Sequence, residues 1–350
     1  MDFALSAEQT SLADSERAWL TKNDPLQTRR QTVDEGPARL SVADRRHLTE
    51  SGLIGLLTDE MGGTHVDLAV LTEEHGRAGS AIPLAELAVA ARLLEVIDHP
   101  IREVAESGTE LVLPAVSTLE DSALHADVDG TGLRLCGATA PISGLLDADH
   151  ILLVTTTVSG TDVAALLSVE SVTVRTLETL DLTRSWSVVE LDLVVPESEW
   201  SALPTGTAAY VHDELSTYRS FDALGAAAQL VDVTVEYAGQ RTQFDRPIGS
   251  FQAIKHHCAN MAVATESSRA ALWAAAIALD DNLDTRPTAV SAAAAYAGEA
   301  TSTTAQTALQ VHGGIGFTWE HDLHLLLRRI KVDELLDGSV SYHRRRLVTA

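Results

Sequence analysis

The sequence predicts an α+β protein with an N-terminal helical domain, a small middle antiparallel β domain and a C-terminal four-helix bundle. Apolar residues recur every three or four positions over residues 1–108 and every second position over residues 109–205. Helical spacing returns in the alanine-rich residues 206–350. A chain of 350 residues is long enough for several packed subdomains. Strands and helices do not alternate, so we do not expect a Rossmann nucleotide site.

The N-terminal domain is predicted to begin with an amphipathic helix in "SAEQTSLADSERAWL". Ser6 and Gln9 have the spacing of a capping box, in which two side chains satisfy the first free backbone N–H groups of a helix. Further helical patterns are "LAVLTEEHGRAGS" and "PLAELAVAARLLEVI", and the glycine turn in "DEMGGTHVDL" precedes them.

The middle domain is predicted from short β-branched runs that Gly, Asp, Ser or Pro separate. These runs are "ELVLPAVS", "GLRLCGATAPI", "HILLVTTTV", "VAALLSVE", "VTVRTLETL" and "SVVELDLVVPESEW". The C-terminal bundle is predicted from four long segments, residues 208–240, 250–281, 286–312 and 319–334. Short loops between such helices favour antiparallel packing.

Composition limits the classes of partner. The formal net charge of −25 argues against nucleic acid and against an anionic membrane surface, since both require basic protein surface. The two cysteines, Cys136 and Cys258, have no metal-ligand spacing, which indicates a reduced, cytoplasmic protein. We expect no signal peptide and no membrane span, because the chain lacks both patterns.

The stretch "RTQFDRPIGSFQ" joins a helix end to the start of the next helix. Arg241 offers a rigid donor fork for phosphate or carboxylate, Gln243 adds a donor, and Phe244 adds an apolar plate. Gln252 begins the next helix, where its amide could face the same ligand. The alternative is a polar loop between two helices.

The stretch "QVHGGIGF" places Gln310 at a helix end and follows it with a glycine-rich turn at Gly313 and Gly314. Backbone N–H groups in such a turn can hold a pyrophosphate. The alternative is that the glycines only let the chain reverse direction between two helices.

Taken together, these stretches resemble the acyl-CoA dehydrogenase family over nearly the whole chain. The resemblance rests on "MDFALSAEQ", "SGLIGLLTDEMGGTHVDLAVLTEEHGRAGSAIP" and "DGTGLRLCGATAPISGLLDADHILLVT", and most specifically on "RTQFDRPIGSFQ" and "QVHGGIGFTWEHDLHLLLRR". It implies FAD, an acyl-CoA substrate and α,β-dehydrogenation, with flavin accepting the hydride. It also implies an electron-transfer flavoprotein as electron acceptor and a homo- or hetero-oligomer, organised as a dimer of dimers.

The resemblance assigns residues to the FAD of a neighbouring subunit. Arg241, Gln243 and Phe244 match its FAD-binding loop, and Gln252 lies beside that loop. Gln310, Gly313 and Gly314 match residues that hold adenosine and pyrophosphate. Such a site is shared across a subunit interface.

The stretch "ELLDGSVSYHRRR" carries the candidate catalytic base. Asp337 falls where the family has a carboxylate, usually Glu, and Ser339 falls on the hydroxyl residue beside the flavin. Asp is one methylene shorter, and a displacement of about 1 Å can reduce a rate about a hundredfold. The alternative is that Asp337 caps the last helix.

Three further features depart from the family pattern. The middle domain lacks the usual flavin-contacting loop, and only Ser117 and Thr118 are candidates to replace it. Glu214 lies near the base position of some family branches, but Ser216 stands where an arginine is usual. Asp245 replaces a glycine and adds negative charge near a phosphate.

Three functions are consistent with this pattern. The first is a catalytic acyl-CoA dehydrogenase subunit with Asp337 as base. The second is a non-catalytic partner subunit that completes the FAD site of a longer homologue, and the third is a nitroalkane-oxidising relative with an aspartate base. No metal site is expected, because His256, His257, His321 and His324 lack a partner cluster. Residues 344–346, three arginines, are interpreted as a basic face of the last helix.

Overall fold

The computed structural model describes residues 5–117, 123–130 and 132–349. Helices, then strands, then helices follow one another along the chain, which confirms the predicted fold class. In the described part of the chain, no helix is long and apolar enough to cross a lipid bilayer.

Eleven helices are described in residues 5–117, 123–130 and 132–349, and short 3-10 turns connect several of them. They are α1 (Ala7–Asn23), α2 (Leu26–Thr32), α3 (Val42–Ser51), α4 (His65–Ala78), α5 (Leu84–Val96), α6 (Arg102–Glu106), α7 (Thr207–Gln240), α8 (Gln252–Asp280), α9 (Arg286–His312), α10 (Leu323–Asp333) and α11 (Val340–Thr349). The long helices α7, α8 and α9 begin and end within two residues of the predicted segments.

The described strands follow the period-two runs of the sequence closely. They are β1 (Val112–Ser117), β2 (Leu124–Asp129), β3 (Gly132–Ala138), β4 (Ile142–Ser143), β5 (His150–Thr156), β6 (Asp162–Ser168), β7 (Thr173–Leu177), β8 (Trp186–Val195), β9 (Trp200–Ala202), β10 (Thr242–Gln243) and β11 (Arg246–Pro247). The sequence runs did not include β2, which pairs with β3.

Two sheets form the middle of the molecule. One has the strand order β1-β5-β6-β9, and the other has the order β2-β3-β8-β4 with β7 also paired to β8. All the described pairings are antiparallel except that of β1 with β5, in which Val112 lies opposite His150. Apolar side chains from both sheets join those of α4, α5 and α7 in one continuous core.

The predicted capping box is present at the start of α1. The Ser6 hydroxyl accepts the Gln9 N–H at 3.1 Å, and the Gln9 side chain accepts the Ser6 N–H at 3.0 Å. Further along α1, the buried Glu16 carboxylate contacts His47 of α3 at 3.0 Å and His75 of α4 at 2.9 Å. One carboxylate therefore joins three helices of the N-terminal domain.

Glu16 should make the stability of the protein sensitive to acid. Burial raises the pKa of its carboxyl, but hydrogen bonds and charges from His47 and His75 outweigh burial and lower the pKa from 4.5 to about 2. A lowered carboxyl pKa stabilises the fold above the unfolded pKa, and this stability is lost as the pH falls from about 4.5 towards 2. The urea midpoint of Glu16→Gln should therefore fall less steeply over that interval than that of the natural protein. Asp14→Asn, at an exposed acid on the same helix, is the control, and parallel profiles for all three proteins would contradict the prediction.

Helices α4 and α7 approach each other through two glycines. A Cβ on Gly225 of α7 would overlap the Glu73 carbonyl oxygen and lie 2.8 Å from the Arg77 nitrogen. A Cβ on Gly76 of α4 would overlap the Asp222 carbonyl oxygen in the same way. This close contact fixes α7, which carries the buried charges of Glu214, Arg219 and Asp222 described below, against the N-terminal domain.

Candidate functional site

The FAD-completing loop predicted from "RTQFDRPIGSFQ" is an exposed two-stranded hairpin. Residues 241–247 are all exposed, and Gln243 pairs with Arg246. The turn places Phe244 and Asp245 at φ values of 53° and 60°, in the left-handed region. The Phe244 ring is 86% exposed and contacts Phe251 edge-on at 6.1 Å. The hairpin therefore presents a donor fork and an aromatic ring to its surroundings.

The glycine-rich turn directly follows α9. Gly313 has φ 62°, and a Cβ on Gly313 or Gly314 would meet nothing within 4 Å. A side chain at either glycine would therefore enter open space, whereas the Gly313 N–H already donates to the Leu309 carbonyl oxygen. Gln310 lies one turn before it and is exposed.

The hairpin and the glycine turn lie at the same end of the bundle. The ring of Tyr237, one turn before Arg241 on α7, stacks on His312 at a centroid distance of 4.4 Å. His312 immediately precedes Gly313. Gln252 is also exposed, in the first turn of α8. The structure thus brings the predicted cofactor residues of the two motifs together on one exposed surface, which we call the loop surface (Arg241, Gln243, Phe244, Gln252, Gln310, Gly313 and Gly314).

The candidate base Asp337 lies elsewhere, between α10 and α11. Its φ of 53° is left-handed, and its carboxylate accepts a hydrogen bond from Arg219 Nε at 3.2 Å. The hypothesis that Asp337 caps the last helix is wrong, since the Ser339 hydroxyl accepts the N–H of Tyr342 at 3.2 Å.

Arg219 belongs to a buried set of charges that we call the interior network. Its guanidinium also lies 3.0 Å from Glu86 of α5, 4.0 Å from Asp333 of α10 and 5.2 Å from the centroid of the Trp186 ring. Burial lowers the pKa of Arg219, but Glu86 and Asp337 reverse this and raise the pKa above its ordinary value. The guanidinium is therefore a permanent cation in the interior.

Two further arginines complete the interior network. Arg184 donates to Asp181 at 2.7 Å and to Asp333 at 2.6 Å. Arg329 donates to both carboxylate oxygens of Asp222, at 2.6 and 2.5 Å. Five carboxyl groups, Glu86, Asp181, Asp222, Asp333 and Asp337, thus surround three arginines.

The pKa values of two carboxyls of the network shift in opposite directions. Burial raises the pKa of Asp333 well above its ordinary value; Arg184 lowers this pKa, and the neighbouring Asp222 charge raises it. For Asp222, burial also raises the pKa, but Arg329 and Arg184 outweigh it and lower the pKa below its ordinary value.

Two small cavities border the interior network. A cavity lined by Glu86, Ser143 and Arg219 has a volume of about 20 Å³, and one lined by Ser216, Asp333 and Gly338 has about 10 Å³. A single water needs about 10–15 Å³, whereas sites for small molecules measure about 300–1,000 Å³. Neither cavity holds more than about one water.

The second carboxylate considered from sequence, Glu214, is buried and ion-paired. Arg92 of α5 donates to it at 2.6 Å, and burial raises the pKa of its carboxyl. Ser216 contacts His343 Nε2 at 3.1 Å instead of an acyl ligand. Ser117 is buried in β1, and Thr118 lies outside the described residues.

Two of the four histidines and two of the three terminal arginines contact other side chains in the structure. In the described part of the chain, no group of three His, Cys, Asp or Glu side chains could hold a metal ion. The His321 ring contacts His312 at 4.8 Å, and that of His324 contacts Trp319 at 4.6 Å. Arg344 and Arg346 of the predicted basic face pair with Glu299 and Asp213.

Sequence comparison defines the class of protein. A family model described as "Acyl-CoA dehydrogenase, C-terminal domain" matches residues 219–350. Acyl-CoA dehydrogenase IpdE2 of Mycobacterium tuberculosis is 32% identical over 89% of this chain and 92% of its own length. Acyl-CoA dehydrogenase FadE34 of the same organism is 33% identical over 84% of this chain, and the chain spans only 40% of its length.

Comparison with solved structures gives similar proteins of two assemblies. A chain of the ChsE4-ChsE5 complex from Mycobacterium tuberculosis superposes with a TM-score of 0.90 and 25% identity, covering 100% of this chain and 98% of that one. The Tcur3481-Tcur3483 steroid ACAD G363A variant gives a TM-score of 0.86 at 26% identity, covering 98% and 97%. The chain belongs to the acyl-CoA dehydrogenase family. The oxidoreductase class and the FAD cofactor that the sequence predicts are those of this family.

The residues of this chain fit one half of FAD and not the other. The exposed Arg241 fork and the uncrowded turn at Gly313 and Gly314 suit a pyrophosphate and its adenosine. The two cavities that border the interior network are far smaller than a flavin ring with a thioester requires. Neither of these two cavities therefore fits a flavin ring.

Proposed function

We propose that this chain is the non-catalytic partner subunit of a hetero-oligomeric acyl-CoA dehydrogenase. Its loop surface binds the adenosine and pyrophosphate of an FAD whose flavin ring lies in a longer homologous subunit. That homologue supplies the catalytic base and the acyl-CoA site. Electron-transfer flavoprotein is the electron acceptor of the assembly.

The observation that carries this proposal is the contrast between the two halves of the site. The loop surface is exposed, and Arg241 has no side-chain partner among the described residues. Asp337 is partly buried, and its carboxylate is held by Arg219. A subunit that completes a neighbour's site needs the first half and does not need the second.

The names of two similar structures support an assembly of unlike subunits. One is a complex of ChsE4 with ChsE5, and the other is Tcur3481-Tcur3483, called a steroid ACAD. We infer by analogy that the assembly containing this chain acts on a steroid-derived acyl-CoA. This inference about substrate rests on similarity alone.

The experiment compares the chain expressed alone with the chain co-expressed with a longer homologue. We expect bound FAD, and anaerobic bleaching by acyl-CoA, only in the co-expressed complex. Asp337→Asn in that complex should leave the bleaching rate unchanged. Arg241→Gln should weaken FAD binding about tenfold, because a charge-assisted hydrogen bond contributes about 1.5–3 kcal/mol.

Arg175→Gln, at an exposed arginine of β7, is the matched control and should leave FAD affinity unchanged. A lone chain that binds one FAD, and whose bleaching by acyl-CoA is abolished by Asp337→Asn, would refute the proposal. That outcome would instead make Asp337 the base of a catalytic subunit. Release of hydrogen peroxide from nitroalkanes would indicate the nitroalkane-oxidising alternative.

A further inference from the structure

A larger cavity lies at the other end of α7, near the N-termini of α4, α7 and α9. Its volume is about 560 Å³, within the usual range for a small-molecule site. Its lining does not overlap the loop surface or the interior network. Nothing in the proposed function uses it, so a ligand of this cavity is independent of whether that proposal is correct.

Two arginines flank one aromatic ring in this cavity. The guanidinium carbons of Arg92 and Arg286 lie 5.3 and 4.5 Å from the centroid of the Tyr210 ring. Arg92 uses Nη2 for Glu214, while its Nε is buried without a hydrogen-bond partner among the described residues. Arg286 uses Nε for Asp213 and Nη1 for Asn282, which leaves Nη2. Both guanidinium groups therefore retain donors for a ligand.

The ring between the arginines is held in place. The Tyr210 hydroxyl donates to the Leu279 carbonyl oxygen at 3.1 Å, so it accepts from His65 Nε2, also at 3.1 Å. The opposite ring nitrogen of His65 contacts the Tyr218 hydroxyl at 2.6 Å. Burial lowers the pKa of His65 to about 3, so its ring is neutral at pH 7. Fixed groups of this kind suit a preformed binding site.

The cavity has an apolar wall and one opposing charge. Leu57, Leu93 and Val96 form the wall, and Val96 is 55% exposed. Asp280 lines the cavity and accepts the backbone N–H groups of His65 and Val66. Its negative charge opposes an anion bound at the two arginines.

We propose that this cavity binds an amphipathic organic anion, with a carboxylate at Arg92 and Arg286 and an alkyl body against Leu57, Leu93 and Val96. The carboxylate takes the unused guanidinium donors, which form strong charge-assisted hydrogen bonds. The alkyl body covers apolar surface that is otherwise in contact with water. The neutral alcohol of equal length lacks the group that the arginines recognise.

Calorimetric titration of the full chain, in the oligomer in which it purifies, tests this with decanoate as the probe. We expect saturable binding of decanoate at one site per chain, and binding of 1-decanol and acetate at least about tenfold weaker. Arg286→Gln should weaken decanoate binding about tenfold, and Asp213 keeps Arg346 as its partner in that variant. Asp280→Asn should tighten decanoate binding severalfold, because it removes the opposing charge.

Arg286→Gln is expected to weaken decanoate binding and Asp280→Asn to tighten it. A disturbed fold would weaken decanoate binding in both variants, so the opposite effects show that the side chains themselves contact the anion. Arg102→Gln, at an exposed arginine of α6, is the matched control and should change nothing. Equal affinity for 1-decanol, no saturable binding of decanoate, or decanoate affinity unaffected by Arg286→Gln would each overturn the proposal. If Arg286→Gln does not fold, the Asp280→Asn variant decides alone: tighter decanoate binding supports the proposal, and weaker decanoate binding refutes it.

Discussion

Gly225→Ala is expected to destabilise the protein by about 3 kcal/mol, because the new methyl group has no space between α7 and α4. Its Cβ would overlap the Glu73 carbonyl oxygen, which is backbone and cannot rotate away as a side chain can. The two helices would have to separate, and the core that they share with α5 would lose close packing. Gly76→Ala on the facing helix should give a loss of similar size.

The matched control is Gly239→Ala, on the same helix. A Cβ there meets nothing within 4 Å, so only the helix propensity changes, and this favours alanine by about 0.5–1 kcal/mol. Urea unfolding followed by circular dichroism measures all three variants. Equal free energies of unfolding for Gly225→Ala and Gly239→Ala would show that α4 and α7 do not meet as described.

Arg329→Leu should cost about 3–5 kcal/mol, the usual cost of removing one partner from a buried ion pair. Its side chain is 1% exposed and donates to both oxygens of Asp222 and to the Ser80 carbonyl oxygen at 2.8 Å. Without it, the nearest remaining cation of Asp222 is Arg184 at 3.6 Å. The loss comes chiefly from leaving the Asp222 charge buried and poorly compensated.

The double variant Arg329→Leu/Asp222→Leu tests that explanation. Removing both charges should recover part of the stability, because apolar pairs of similar volume often replace buried ion pairs without loss. Urea midpoints of the single and double variants provide the measurement. A double variant less stable than either single variant would contradict the explanation.

The fold could be predicted because periodicity and capping are local. The Ser6–Gln9 spacing correctly indicated where α1 begins, and the alanine-rich segments indicated α7, α8 and α9. Strand β2 was missed because its sequence, "LHADVD", carries two aspartates, which strands disfavour. Pairing with β3 outweighs that local preference.

Of the candidate site, the loop surface could be predicted from the sequence and the interior network could not. Arg241 and Gly313 stand in continuous motifs, and the Tyr237–His312 stack brings those motifs together. The interior network draws on α5, the segment before β8, α7 and α10, so its members are far apart in sequence. Charged residues are rarely buried, and nothing local marked Glu86 or Arg184 as exceptions. Only the tertiary contacts showed that Asp337 has Arg219 as its partner.

The small volume of the interior cavities limits how an assembly of the proposed kind can be engineered. A chain whose two cavities at the interior network each hold only about one water has no space there to sort substrates by length or shape. Substrate range would then be adjustable by mutating the companion gene alone, and this chain could be replaced by a relative with an equivalent loop surface. Random mutagenesis of this gene would yield variants with altered assembly or altered FAD retention, but no variant that accepts a new substrate.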